Sequence, residues 1–439
     1  MIKRLLHNKV ANNATWLIGS KIIQAFLGLV ISMISARYLG PLNYGIINYA
    51  ASVATFAGPI TSLGFTDILV QEEINNRDKE GKIFGTAMTL SLISSFVCIA
   101  GIFAFISVAN AGETVTIIVC MLYSIMLIAQ VCDMIVYWFQ AKLLAKYSSV
   151  ISLIAYVIVS AYKIFLLITS KSVYWFAISN CIDYFLIAIF SYVTYRKKGG
   201  QRLRFDWGIG KAMFSKSKYY IIPSLMVSIF SQTDKIMINQ MMDDANVGFY
   251  SAAVTCAGLF NFVFSALIDS FRPLIFEKKK LNDNEGFELN VKRLYSFIIY
   301  LCLAQCVFMT LFAKWIVLLL YGNDYVGSIE VLRLVVWYTT FSYLGSVRNV
   351  WILAKNQQKY LWLINLLGAL ANVLMNYFLI SYMGIMGAAL ASIITQFFTN
   401  VITGWIIAPL RDNNRLMIQA LNPKYILDII KNNTRSEES

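Results

Sequence analysis

Twelve stretches of this chain are long and apolar enough to cross a lipid bilayer, and no other feature of the sequence constrains its fold as strongly. A bilayer core takes about 20 mainly apolar helical residues. Runs of that kind lie near residues 14–36, 46–64, 83–108, 115–140, 148–169, 174–195, 219–240, 248–270, 294–312, 329–347, 361–380 and 386–408. Hydrocarbon offers no partner to a backbone amide, so each run is expected to be helical. Composition agrees: 58% of the 439 residues are hydrophobic and 14% charged, against about 25% charged in soluble domains. A soluble globular enzyme is excluded. The first run follows Lys3, Arg4 and Lys9 as a signal peptide core would, yet it is too long for one, contains Lys21 and leads into further spans without a small-residue cleavage site. It is expected to be a retained signal-anchor helix.

The chain carries 37 Lys and Arg against 23 Asp and Glu, a net charge of +14. Such an excess could serve nucleic acid, an anionic membrane face or an anionic substrate, and its distribution decides. With the N-terminus inside, 30 of the 37 fall in inner loops and tails, three (Arg37, Lys171, Lys314) in outer loops and four (Lys21, Lys163, Lys235, Arg333) within spans. One missed span would swap every later loop, so this asymmetry supports twelve spans with both termini cytoplasmic. The runs Arg196-Lys197-Lys198 and Lys278-Lys279-Lys280 sit in the two largest inner loops, where topology and anionic lipid account for them without nucleic acid. The outer loops are short, the longest being 313–328, and leave no room for an external catalytic domain. The tail from Arg411 is charged and Asn-rich and is expected to be partly disordered. Trp175, Trp207, Trp315, Trp351 and Trp405 fall near span ends and read as interfacial anchors.

The single histidine, His7, lies in the N-terminal tail, which removes histidine acid–base work and ordinary zinc catalysis from the spans. Cys98, Cys120, Cys132, Cys181, Cys256, Cys302 and Cys306 all lie in apolar runs and read as packing residues, although Cys302 and Cys306 share a helical face. No catalytic residue, metal or resident cofactor is expected.

A faint repeat relates the two halves. Met33-Ile34 is followed by Tyr44-Gly45 and then by Ile46-Ile47-Asn48-Tyr49-Ala50-Ala51; Met237-Ile238 is followed by Val247-Gly248 and then by Phe249-Tyr250-Ser251-Ala252-Ala253. Asp67 and Asp269 then occupy matching positions at the cytoplasmic ends of their helices. Six spans separate the units, so the repeats share one orientation, about an axis along the membrane normal. The expectation is an all-α polytopic membrane protein, with a six-helix bundle over 1–200, a second over 201–410, a cytoplasmic tail over 411–439, and a central cleft of the alternating-access kind.

Several spans are not apolar all round. Lys21, Gln24, Gly28, Ser32 and Ser35 share one helical face of span 1, and Ser224, Ser228, Gln232, Lys235 and Asn239 share one face of span 7. Span 2 adds Asn48, Ser52, Thr55, Pro59 and Ser62; span 4 adds Gln130, Asp133, Tyr137 and Gln140; span 5 adds Tyr156, Ser160 and Lys163; span 8 adds Ser251, Thr255, Gly258, Ser265 and Asp269. A charge at mid-membrane costs about 2.5–3.5 kcal/mol on insertion scales, so it faces a partner or a hydrated cavity. On one reading Lys21, Lys163 and Lys235 line a cationic lumen for an anionic cargo. On the other they are structural pairs, Lys163 with Asp133 or Asp183 and Lys235 with Asp234 or an interfacial group. Pro59 and Pro223 are candidate kinks.

The stretch Ser35-Ala36-Arg37-Tyr38-Leu39-Gly40-Pro41-Leu42-Asn43-Tyr44-Gly45, followed by Ser62-Leu63-Gly64-Phe65-Thr66-Asp67, resembles the polysaccharide (O-antigen, Wzx-type) flippases of the multidrug/oligosaccharidyl-lipid/polysaccharide superfamily. Asp234-Lys235-Ile236-Met237-Ile238, Tyr321-Gly322 and Gly387-Ala388-Ala389-Leu390 extend the match over nearly the whole chain. The resemblance implies a transporter rather than an enzyme, in a bacterial inner membrane, moving undecaprenyl-diphosphate-linked oligosaccharide from the cytoplasmic to the periplasmic leaflet. Polysaccharide polymerase and chain-length proteins are its implied partners. On this reading Lys21, Lys163 and Lys235 take the diphosphate, with Arg272 and Arg348 at the cytoplasmic mouth. Gln24, Asn48, Gln232 and Asn239 suit sugar hydroxyls, while Asp67, Asp133, Asp234 and Asp269 are candidates for gating or for coupling to protons or sodium. The alternatives are a related drug or ion antiporter, which a cationic lumen disfavours, and a polymerase or ligase, which the short outer loops disfavour.

Overall fold

The computed structural model describes residues 9–426, and every regular element among them is helical. The N-terminal basic residues Lys3 and Arg4, His7 and the last part of the tail lie outside the described residues. All twelve apolar runs are found in helices. The first two share one helix, α1 (Lys9–Thr61), interrupted only at Gly40. The sequence led us to expect a loop over 37–45. Instead Gly40 takes a left-handed φ of 71°, which costs glycine little, and Pro41 starts the second half with the fixed φ suited to a first helical turn. Neither Pro59 nor Pro223 ends its helix.

There follow α2 (Leu69–Asn75), α3 (Glu80–Ala109), α4 (Thr114–Ser124), α5 (Met126–Gln130), α6 (Met134–Ala141), α7 (Ala145–Ile168), α8 (Val173–Lys197), α9 (Trp207–Met241), α10 (Asp244–Ala257), α11 (Asn261–Lys280), α12 (Asn284–Leu320), α13 (Ser328–Ala354), α14 (Leu361–Met383), α15 (Ile385–Phe397), α16 (Thr403–Ile406) and α17 (Arg411–Gln419). Among the described residues nine helical segments are long and apolar enough to cross a membrane, the first of them, Gly19–Thr61, holding two of the expected spans. The remaining two spans are α9 and α13, which are long enough but too polar to rank with the nine.

The chain divides into two compact units, residues 1–248 and 249–439. In the first, α1 packs against α4, α7 and α9, and Phe65, Phe84, Trp138, Phe139 and Tyr195 centre a core near the end that carries the basic connections. The glycines of the sequence repeat explain one close crossing here. A Cβ on Gly45 would lie 1.7 Å from the Asp244 carbonyl oxygen, and one on Gly248 would lie 2.1 Å from that of Pro41. Both obstacles are backbone, so only hydrogen fits.

At the basic end, the connections that read as loops form a buried ion network. Lys142 Nζ lies 2.5 Å from Glu80 Oε2 and 3.7 Å from Glu73 Oε1, and stands 4.6 Å above the Trp138 ring. Glu80 Oε1 also accepts from the Gln201 amide at 3.0 Å, while Lys216 pairs with Glu72 at 2.6 Å. Glu73 and Glu80 are almost fully buried. Burial, reinforced by the Glu80 charge, pushes the Glu73 carboxyl up to about 7.

In the second unit Phe264, Ile298, Trp351, Ile352, Leu410 and Met417 belong to one core cluster. Two expectations change here. Trp351 is buried, 1% exposed, and anchors no interface. Residues 411–419 are helix α17, with Leu416 and Met417 buried, Asn413 accepting from Tyr295 Oη at 3.0 Å and Asn414 donating to the Val401 carbonyl at 2.7 Å. Two apolar side chains and one hydrogen bond to each amide dock a short segment whose overall composition is polar.

Two outcomes are expected in purified protein. Gly45→Ala should lower Tm by an amount corresponding to about 1–3 kcal/mol of overpacking, whereas Gly58→Ala, which meets nothing within 4 Å, should leave Tm near wild type; equal shifts would remove the crossing argument. The second concerns pH. A carboxyl whose folded pKa is raised binds more protons folded than unfolded, so its contribution falls as pH rises from about 4.5 to about 7. Glu73→Gln should therefore melt above wild type at pH 8, by about 1–3 kcal/mol in stability, and flatten that window. An unchanged pH profile would count against the buried-carboxyl account.

Candidate functional site

The three intramembrane lysines sit on α1, α7 and α9 of the first unit, and α1 packs against both other helices. Gly28 of α1 meets Tyr156 of α7, whose hydroxyl would be 2.7 Å from an added Cβ. Ser228 of α9 donates to the Thr55 carbonyl of α1 at 3.1 Å. Among the described residues no carboxylate lies within 4 Å of Lys21, Lys163 or Lys235 Nζ. Lys21 is exposed, and Lys163 and Lys235 are half-buried. Among the described residues a close ion pair of Lys163 with Asp133 or Asp183 is therefore not found. Each lysine keeps three donors, set on a helix face with hydroxyl and amide neighbours.

One carboxylate of the same unit, Asp133, faces a different space. A cavity of about 140 Å³ is lined by Thr61, Ser62, Ser91, Gln130, Asp133 and Tyr137 among others. Asp133 Oδ1 and Ser91 Oγ are buried without a hydrogen-bond partner, as is Asp183 Oδ1. Segments α5 and α6 position this group. The span they form is interrupted by a 3₁₀ turn at Val131–Asp133, which sets Asp133 beside Gln130 on the cavity wall. Oxygen donors of this kind can hold a proton or a hydrated monovalent cation, and no group of three His, Cys, Asp or Glu suited to a metal ion occurs among the described residues.

The remaining candidates separate. Asn239 belongs to a polar knot at the other end of the unit: it accepts from Asn110 Nδ2 at 3.0 Å and donates to Asp244 Oδ1 at 2.7 Å. Tyr49 Oη donates to Asn110 Oδ1 at 2.9 Å, and Thr116 Oγ1 to Asp244 Oδ2 at 2.9 Å. Asn48 donates to the Tyr44 carbonyl one turn back, and Gln232 to Ser231 Oγ. Gln24 and Asp234 are half-buried, and Asp67 is exposed. In the second unit Asp269 and Arg272 pair at 3.2 Å one turn apart on an exposed face. Arg348 is 4% exposed. Its Nη1 donates to the Thr399 carbonyl at 2.6 Å, within the π-helical turn Phe398–Ile402. The Thr399 carbonyl also accepts from the Thr403 hydroxyl, so Arg348 is its second side-chain donor.

Sequence reasoning passed over two of these features. The Glu73, Glu80 and Lys142 network was hidden because connections between spans are read as solvated loops, although adjacent Glu72 and Glu73 before an apolar run were a visible signal. The Tyr49, Asn110 and Asn239 knot joins residues 190 apart in the chain, which no spacing rule connects.

A family model described as polysaccharide biosynthesis protein matches residues 10–279. A search of curated proteins finds no match. Among solved structures, the lipid II flippase MurJ in an inward closed conformation is similar with a TM-score of 0.70 at 13% identity, covering 92% of this chain and 90% of that one. An inward-facing multidrug resistance MATE family transporter of the MOP superfamily gives a TM-score of 0.65 at 13% identity, covering 89% and 96%. An outward-facing member gives 0.54 at 14% identity, covering 95% and 98%. At such identities the likeness is one of fold. The family match over more than half of the chain and the all-helical architecture agree, and the chain belongs to the polysaccharide biosynthesis protein family of multi-pass membrane proteins.

Proposed function

We propose that the protein is a flippase that carries an undecaprenyl-diphosphate-linked oligosaccharide, an O-antigen or capsule repeat unit, from the cytoplasmic to the periplasmic leaflet of a bacterial inner membrane by alternating access. The observation that carries this reading is the set of three lysines on polar helix faces with no carboxylate within ion-pair distance among the described residues. Their retention in apolar spans has a cost that a structural ion pair would have offset. A diphosphate crossing the membrane loses water and needs cationic donors in its place. Lys21, Lys163 and Lys235 supply them, Gln24, Asn48 and Gln232 suit sugar hydroxyls, and the polyprenyl tail stays in lipid. The basic end of the first unit is the cytoplasmic one, following the distribution of charge.

The cavity at Asp133 suits ion coupling. A carboxyl that releases a proton or admits sodium in one state and not in another biases the transporter in one direction, since a ligand shifts an equilibrium only by its differential affinity for the two states. Asp67 and the Asp269–Arg272 pair are placed for gating. A cationic pathway disfavours the cationic cargo of a drug antiporter.

Lys21→Ala and Lys235→Ala should insert normally yet lower lipid-linked oligosaccharide translocation in proteoliposomes about tenfold or more each, the loss of one charge-assisted contact. Arginine at either position should recover part of it. Wild-type surface polysaccharide in both alanine variants would sink the cationic pathway. Transport should also respond to a proton or sodium gradient, and Asp133→Asn should abolish that response; indifference of the wild-type protein to both gradients would remove coupling from the proposal.

A further inference from the structure

Along α8 the first unit carries an apolar furrow that the proposed transport does not use. Two adjoining cavities of about 550 and 470 Å³ share Phe185 and Ile189. Together they run from Ile178 to Tyr192, fourteen helical steps, or about 21 Å. One leaflet's share of a hydrocarbon core about 30 Å thick is about 15 Å, so the furrow can seat a whole acyl chain. Its walls include Met88, Leu92 and Ala188, and the one charged residue that lines it is Arg204, at the basic end.

Arg204 is held there by backbone contacts rather than by chance. Its amide donates to the Gly81 carbonyl at 2.9 Å, and a Cβ on Gly85 would lie 2.5 Å from Arg204 backbone atoms. The next acid, Asp206, is already engaged: it pairs with Lys82 at 3.0 Å and caps α9 by accepting from the Ile209 amide at 3.2 Å. Among the described residues no carboxylate lies within 4 Å of the Arg204 guanidinium. Exposed Phe205 and Trp207 follow it in the chain, their rings 6.2 Å apart, and an exposed tryptophan is the kind of amphipathic ring that marks headgroup depth.

We infer that this furrow is a binding site for one anionic phospholipid of the leaflet at the basic end, with an acyl chain along α8 and the headgroup phosphate on Arg204. The charge is complementary, the length suits the chain of one leaflet, and the guanidinium offers the planar pair of donors that phosphate takes. The site needs no flippase activity and is separate from the lysine stripes.

The test is native mass spectrometry of the full chain released from nanodiscs of mixed phosphatidylglycerol and phosphatidylcholine. Wild type should retain one phosphatidylglycerol in preference to phosphatidylcholine by about fivefold, the worth of one basic group at an anionic surface. Arg204→Gln should lose the preference while still retaining lipid, and Ile189→Trp, which fills the furrow, should lose the retained lipid. Should Ile189→Trp fail to fold, Leu92→Trp on the facing wall takes its place. Equal retention of the two lipids by wild type, or an unchanged preference in Arg204→Gln, would overturn the inference. So would displacement of the retained lipid by inorganic phosphate, or by undecaprenyl diphosphate at equal concentration, since the furrow would then serve a free anion or the cargo's tail.

Discussion

The structure depends on one constraint: in hydrocarbon, a polar group without a partner costs several kcal/mol, and water is not there to supply one. Backbone groups meet this constraint by forming helices, which is why every regular element among the described residues is helical. Side chains meet it in small local ways. Serines and threonines return their hydroxyls to a carbonyl one turn back, as Ser52 does to Asn48 and Ser95 to Ser91. Where a helix widens at Phe398–Ile402, the buried Arg348 and the Thr403 hydroxyl both donate to the Thr399 carbonyl.

Against that background a few of the unsatisfied groups stand together within the first unit. Among the described residues no carboxylate lies within 4 Å of Lys21, Lys163 or Lys235 Nζ, and Asp133, Asp183 and Ser91 keep oxygens without donors. The cations lie on polar faces suited to an anion, whereas Asp133 and Ser91 wall a cavity of about 140 Å³ sized for waters or a small ion. The first unit thereby keeps its intramembrane lysines apart from the Asp133 cavity, which none of them lines. Arg204 repeats the same logic at the membrane surface, a cation whose nearest acid in the chain is committed to Lys82.

Much of the fold was legible in the chain. Each of the twelve apolar runs became helix, because a run of about 20 apolar residues has no other stable form in a bilayer. The Tyr44-Gly45 and Val247-Gly248 repeat was visible as a pattern, although its purpose, two glycines admitting each other's backbone, was not. The polar faces of spans 1, 4 and 7 were legible from helical spacing. Their partners were not, because Asn239 meets Asn110 and Ser228 meets Thr55 only through the packing of helices distant in sequence.

The sequence by itself determined the number of spans, their helical form and the charge asymmetry of the connections, since these follow from local apolarity and from the cost of moving charge across a membrane. Tertiary structure alone decided which polar residues are satisfied. It buried Trp351 and docked α17, where composition pointed to an interface and to disorder. It also turned the connections around Glu73, Glu80 and Lys142 into a core. Satisfaction is a property of pairs, and pairs are made by packing rather than by spacing along the chain.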